Sequence, residues 1–404
     1  MRSVGPVFLA NMRIIRYNIL MITRYYHDIE HYLQPGKVLV LYGPRQVGKT
    51  TLIRQYLDKT SLRYRLDSGE STAVQEILGS RDFDLIAQYV EGYDLIVIDE
   101  AQEVKGIGMG LKIIVDLHPH IHVIATGSSS FDLAQSIGEP LVGRKKTLQL
   151  YPISQLELRD DGVNPYDLRQ KQDSFLLYGS YPDTLNASTD SEKIAYLTDL
   201  VDSYLLKDIL KLDNIKSPKA LRDLLALLAL QIGNEVSLSE LGQKLGWDSK
   251  TVERYLYLLE ECFVIVRLGG FSRNLRSEVT RKSKYYFIDT GIRNAILRQF
   301  NPIAMRNDAG MLCENFLIVE RLKYRSYRSL YGSSYFWRNY SQQEIDLIEE
   351  YDGALHAYEL KHSTTRSVTA PKDWLAAYPE AMFEVVNPNN YLDFVTGVRA
   401  RSHR

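Results

Sequence analysis

Residues 43–50, Gly-Pro-Arg-Gln-Val-Gly-Lys-Thr, set two glycines five positions apart and follow them with a lysine and a hydroxyl. That spacing suits the wrapping of a phosphate chain. Backbone N–H groups must come close to the oxygens, and glycine allows both the approach and a positive φ. A helix starting at about Lys49 would point its positive end at the phosphates. Lys49 is expected to reach the β and γ phosphates, and the Thr50 hydroxyl to bind Mg²⁺. ATP and Mg²⁺ are therefore the expected cofactors, with Gly43, Pro44, Arg45, Gln46, Val47, Gly48, Lys49, Thr50 and Thr51 as the binding set.

A nucleotide loop also needs an acid on another strand. In "YDLIVIDEAQ" (93–102) four apolar residues lead to Asp99, which would hold the metal through water; Glu100 would act as general base on the attacking water. "VIATGSSSFDL" (123–133) ends a further strand in hydroxyls, and Thr126 or Ser128 would sit beside the γ-phosphate. Arg144, in "PLVGRKKTLQLYP", is either an arginine given to a phosphate, in cis or from a neighbouring subunit, or a surface residue.

A second group of acids lies in "SYFWRNYSQQEIDLIEEYDGALHAYELKHS" (334–363). Asp346 ends one strand and Glu359-x-Lys361 lies in the next. Residues two apart on a strand leave the same face, so Asp346 and Glu359 on adjacent strands could share a divalent metal while Lys361 handles water and phosphate charge. Glu344 is an alternative to Asp346, because alternation points both the same way.

These residues need elements to hold them. "VLVLY" (38–42), "LIVID" (95–99) and "HVIAT" (122–126) are short, apolar and β-branched, as in strands of a parallel sheet buried on both faces. Helical stretches lie between them, the α/β signature. Residues 155–230 are mainly helical. "VSLSELGQKLGWDSKTVERYLYLLEECFVIVRL" (236–268) reads as a winged helix-turn-helix. Ser237 and Glu240 have capping-box spacing, Gly246 stops the first helix and Asp248 caps the second. Val252, Leu256 and Leu259 face inward; Ser249, Lys250, Glu253 and Arg254 face outward, where a DNA groove would lie. From Arg267 to Lys284 there are six basic residues (Arg267, Arg273, Arg276, Arg281, Lys282, Lys284) against Glu278, a wing suited to phosphate contact. "RLKYRSYRS" (321–329) is either a nucleic-acid track or, preferably, a helix end with a solvated face.

The motifs "GPRQVGKTTL", "DEAQ", "TGSSS", "VGRKKTLQLYPIS", "YGSYPD" (178–183), "YFIDTGIRN" (286–294) and "MLCENFLIVE" together make the chain resemble prokaryotic AAA+-like ATPases that carry a C-terminal domain of unknown function related to restriction endonucleases. The resemblance covers about residues 22 to 390. It implies an ATP site of Lys49, Thr50, Asp99 and Glu100, with Ser128 as sensor and Arg144 as a trans-acting or sensing arginine. The C-terminal acids look like a PD-(D/E)XK nuclease core, in which Glu314 matches the preceding helical acid. The expected fold is therefore α/β. A P-loop domain (22–150) leads into a helical lid or linker (151–217) and a winged helix (218–272). A restriction-endonuclease-like domain (273–404) follows. DNA, a second copy of the chain or another protein are the expected partners.

The chain's 404 residues suffice for two to four domains. A net charge of −1 excludes a polycation, so any nucleic-acid contact must be a local basic patch. Cys262 and Cys313 lie apart among apolar residues and are expected to be core thiols, which suits a reducing cytosol. Arg13, Arg16 and Arg24 break the N-terminal apolar stretches below the ~18 residues a membrane span needs. The start is expected to be a helix or arm on the first domain, or a leader before a true start at Met21. The expected setting is the cytoplasm, without membrane contact.

Overall fold

The computed structural model describes residues 22–128, 140–205, 218–272, 283–364 and 368–397. The expected N-terminal arm, the end of the Ser-rich segment and most of the basic wing lie outside them.

The β-branched runs form strands where their pattern places them: β1 (Val38–Tyr42), β2 (Tyr64–Ser68), β3 (Leu95–Asp99), β4 (His122–Gly127) and β5 (Lys145–Gln149). All pair in parallel, in the order β2-β3-β4-β1-β5. β1, β3 and β4 are buried on both faces, because helices cover each side. One of these, Lys49–Leu57, buries Leu52 and Ile53, each contributing on the order of 2 kcal/mol. Strand order decides the site. β4 is inserted between β1 and β3, so its C-terminal end lies between the phosphate loop and Asp99.

Short helices follow from Gln155–Asp160 to Asp190–Asp199, then helix Pro218–Leu230. Helices Leu238–Leu245 and Ser249–Glu261 come next, with strands β6 (Glu235–Val236), β7 (Ile265–Gly270) and β8 (Ser283–Phe287). Asp248 accepts from Thr251 N at 2.7 Å and Gly246 ends its helix at φ 68°. Val252, Leu256 and Leu259 are buried, while Ser249, Lys250, Glu253 and Arg254 are exposed. The last unit packs helix Ala309–Tyr327 against an antiparallel run of β9 (Ser333–Arg338), β10 (Glu344–Tyr351) and β11 (Ala354–Leu360). β12 (Met382–Val386) then joins β11 in parallel.

The boundary expected at 272/273 divides elements that the structure joins. β8 pairs with both β6 and β7, and β7 pairs with β9 at Gly269–Tyr335 and Gly270–Phe336. One seven-stranded sheet therefore runs β12-β11-β10-β9-β7-β8-β6. Helix Thr290–Leu297 packs on helices Gln172–Tyr178 and Pro218–Leu230, so it belongs with the helical part. Strand pairing is non-local, and the run 284–289 carries no sign of its partners.

The run 321–329 is a helix end, as expected, since the helix stops at Tyr327, but most of its cations do not face solvent. Arg321, Lys323 and Arg325 are all buried. Arg321 makes a two-pronged contact with Glu349, at 2.9 and 2.7 Å, and Lys323 pairs with Glu320 at 2.7 Å. The acids that bury these cations are spread along the helix and a later strand. Cys313 is buried, Cys262 is half-buried and neither is in a disulfide. Among the described residues, no helix is long and apolar enough to cross a membrane.

Candidate functional site

β1 ends at Tyr42 and the chain turns at Gly43, φ 149°, where a Cβ would lie 2.0 Å from the Leu150 carbonyl oxygen. Only glycine fits there. Gln46 and Gly48 also have positive φ, and the helix begins at Lys49. Pro44 and Val47 are buried, Arg45 is half-buried and Gln46 is exposed; Thr51 turns away to solvent. Lys49 is 5% exposed, and its ammonium donates to Gly43 O and Pro44 O, both at 2.8 Å. The Thr50 hydroxyl donates to Asp99 Oδ2 at 2.8 Å. Two residues 49 apart in sequence thus meet through side chains.

The tip of β4 completes this arrangement. The Thr126 hydroxyl donates to Asp99 Oδ1 and accepts from the Glu100 backbone N–H at 3.1 Å. Glu100 sits at φ 50°, which lifts its side chain out of the strand alternation. Gln102 Nε2 donates to Glu100 Oε2 and, at 3.2 Å, to Ser128 Oγ. Thr126 therefore holds Asp99 directly, while Ser128 reaches Glu100 through Gln102. Gln102 Oε1 is buried without a partner.

Arg24, seen in the sequence only as a charge interrupting an apolar stretch, braces the loop from behind. Its guanidinium is 6% exposed. It donates to Glu157 Oε1 at 2.8 Å, to Tyr151 O at 2.6 Å and to the Val47 carbonyl inside the phosphate loop. An arginine well ahead of the first strand was the only signal. Arg144 lies at the other end of the sheet. Its carbonyl accepts from Val38 N where β1 begins, and its side chain pairs with Asp116 at 2.5 Å. A five-residue strand spans ~16 Å, so Arg144 does not reach its own chain's phosphate loop. It lies where β5 starts, and direction along a strand is not read from composition.

The C-terminal acids also converge. Leu347 pairs with Tyr358, which sets Asp346 level with Glu359. Asp346 Oδ2 accepts from Leu360 N at 2.8 Å, and Lys361 Nζ contacts Glu359 Oε1 at 2.5 Å. Glu314, on helix Ala309–Tyr327, accepts from the Tyr286 hydroxyl at 2.7 Å. Into this cluster comes Lys284 from β8, 1% exposed, 3.3 Å from Glu314 Oε1 and also paired with Glu344. Lys284 is thus an internal counterion; the sequence had placed it in the basic wing. Burial, with Asp346 nearby, pushes the Glu314 carboxyl up to about 7, against the opposing pull of Lys284. Burial likewise raises Asp346 and Glu359.

Residues 35–159 match the model of an AAA domain. This stretch holds the phosphate loop and all five strands of the parallel sheet. Two further models match, both domains of unknown function: DUF8612 over residues 169–302 and DUF4143 over residues 309–394. An uncharacterized protein of Mycobacterium tuberculosis is 28% identical over 342 residues, covering 83% of this chain and 73% of the relative. One of Haemophilus influenzae is 24% identical over 325 residues, covering 75% and 79%. Among solved structures, AMPPCP-bound DnaA from Aquifex aeolicus aligns at a TM-score of 0.25 and 16% identity, covering 58% of this chain and 84% of that one.

The two sites differ in their fit to a metal. Around the phosphate loop, a glycine cradle, a hydroxyl on a carboxylate and an unpartnered amide oxygen fit a nucleotide with its ion. The C-terminal cluster does not fit one. An ammonium lies between Glu314 and Glu344, and among the described residues no three His, Cys, Asp or Glu side chains are placed to hold a metal.

Proposed function

We propose that the chain is an ATP-hydrolysing P-loop switch that couples its nucleotide state to nucleic-acid binding. The observation that carries this reading is the Thr50–Asp99 contact at 2.8 Å, with Thr126 on the other oxygen of the same carboxylate. Thr50 and Asp99 would hold Mg²⁺, which neutralises phosphate charge when bound. Lys49 swings from the loop carbonyls to the terminal phosphates. Glu100 orients and deprotonates the attacking water, and Gln102 ties Glu100 to Ser128, so a shift at the γ-phosphate moves both. Any phosphate contact by Arg144 comes in trans, from a neighbouring subunit.

Residues 218–287 are proposed to work as a winged helix, and residues 309–394 to have a PD-(D/E)XK-type core. The coupling has a physical path. Tyr42, directly before the phosphate loop, packs its ring 5.7 Å from Phe263, in the turn after helix Ser249–Glu261. That helix presents Lys250 and Arg254 to solvent. A displacement of the loop is thereby passed to the face proposed to meet DNA.

The test is ATP turnover with and without single- and double-stranded DNA. Stimulation of the wild type, absent in Lys250→Ala/Arg254→Ala, supports the coupling. Indifference to both nucleic acids refutes it and moves the output to a protein partner. Stoichiometric ATP binding without turnover reduces the chain to a nucleotide-set conformational module.

A further inference from the structure

The acid cluster of the C-terminal unit carries a feature that the nucleotide switch does not use. Four carboxylates, Glu314, Glu344, Asp346 and Glu359, converge from a helix and two strands. Two ammonium groups serve them. Lys361 belongs to the end of β11 and reaches Glu359. Lys284 belongs to β8, a strand of the preceding unit, and contacts Glu314 and Glu344. Its stem is fully buried and its ammonium lies 5.3 Å from the centre of the Phe336 ring. A charged side chain so enclosed persists only when its partners satisfy it.

A divalent cation in such a cluster takes several oxygen ligands at ~2.0–2.6 Å. The Lys284 ammonium already lies against two of the four carboxylates, and a second cation a few ångströms away would be repelled. Lys284 also cannot leave alone: it sits in β8, which is paired on both sides with β6 and β7. We propose that Lys284 closes the acid cluster into a metal-independent ion-pair latch. The latch fastens β8 to helix Ala309–Tyr327. The C-terminal unit then docks to the preceding unit and does not cut phosphodiesters.

The test uses the full chain in an Asp99→Asn background, which removes the metal ligand at the phosphate loop. Mn²⁺ binding is followed by calorimetry, and melting temperature is read in EDTA and in millimolar MnCl₂. The parent should bind no Mn²⁺ and melt equally in both. Lys284→Ala should melt roughly 5–10 °C lower than the parent, in EDTA and in MnCl₂ alike. Lys284→Arg, which keeps the charge, should melt closer to the parent than Lys284→Ala does. Stoichiometric Mn²⁺ binding by the parent, lost in Asp346→Asn, overturns the proposal, as does Mn²⁺-dependent plasmid cleavage lost in Glu359→Gln. A Lys284→Ala that melts within 2 °C of the parent also overturns it. Should Lys284→Ala fail to fold, the parent's calorimetry decides, since binding refutes the latch and its absence upholds it.

Discussion

Replacing Arg24 with methionine should damage both the fold and the nucleotide site, for separable reasons. Arg24 and Glu157 are 6% and 1% exposed and 2.8 Å apart. Removing one partner of a buried ion pair costs about 3–5 kcal/mol, because the other charge stays buried and unpaired. At ~2–4 °C per kcal/mol for a domain of this size, the first melting transition should fall by roughly 6–20 °C. The second effect is local. The Val47 carbonyl loses the donor that holds the phosphate loop from behind. Losing a charge-assisted bond worth about 1.5–3 kcal/mol should weaken ATP binding roughly 10- to 100-fold. Scanning fluorimetry and titration with a fluorescent ATP analogue read the two effects. The double variant Arg24→Met/Glu157→Met should recover most of the stability, since no charge is left buried, but not the affinity. A single variant melting within 2 °C of the wild type with unchanged affinity would refute the assignment of Arg24 as the brace.

Gly43→Ala should abolish ATP binding, because its Cβ meets the Leu150 carbonyl at 2.0 Å, whereas Gly310→Ala, with open space around it, should leave binding unchanged; equal binding by both would contradict the cradle. Stability should fall as pH rises from about 4.5 to about 7. Folded Glu314 keeps its proton up to about 7 while the unfolded chain has already lost it, a contribution of about 3 kcal/mol for this group alone. Urea unfolding across that range should show the decline in the wild type and a shallower one in Glu314→Gln; identical slopes would sink the attribution. Lys250→Ala/Arg254→Ala should lower the salt dependence of DNA binding by up to ~0.9 log units per lost phosphate contact, measured by anisotropy, and an unchanged slope would remove that helix from the interface.

The meeting of Thr50 with Asp99 was legible because its signals are local. The glycine spacing fixes a loop, the apolar run before Asp99 fixes a strand, and strand ends in an open sheet fix where both must point. The second site was legible only in its acids, since strand alternation and the strand break put Asp346 and Glu359 together. What the sequence hid are contacts between distant segments. Arg24 meets Glu157 across 133 positions and Lys284 meets Glu314 across 30. A cation's burial depends on partners that its neighbours in sequence do not reveal, so Lys284 and the run 321–329 both read as solvated. Two motifs singled out by resemblance have a packing explanation. Ser180 N donates to Asp289 Oδ2 at 2.7 Å, and a Cβ on Gly179 would fall 1.8 Å from that carboxylate. "YGSYPD" and "YFIDTGIRN" therefore fasten the end of helix Gln172–Tyr178 to the start of helix Thr290–Leu297.

The most direct test is phosphate release from ATP by the wild type, Lys49→Ala and Glu100→Gln, with bound nucleotide measured in parallel. Steady release by the wild type, no release and weak binding by Lys49→Ala, and firm binding without release by Glu100→Gln are the expected results. Undiminished release by Lys49→Ala would contradict the account.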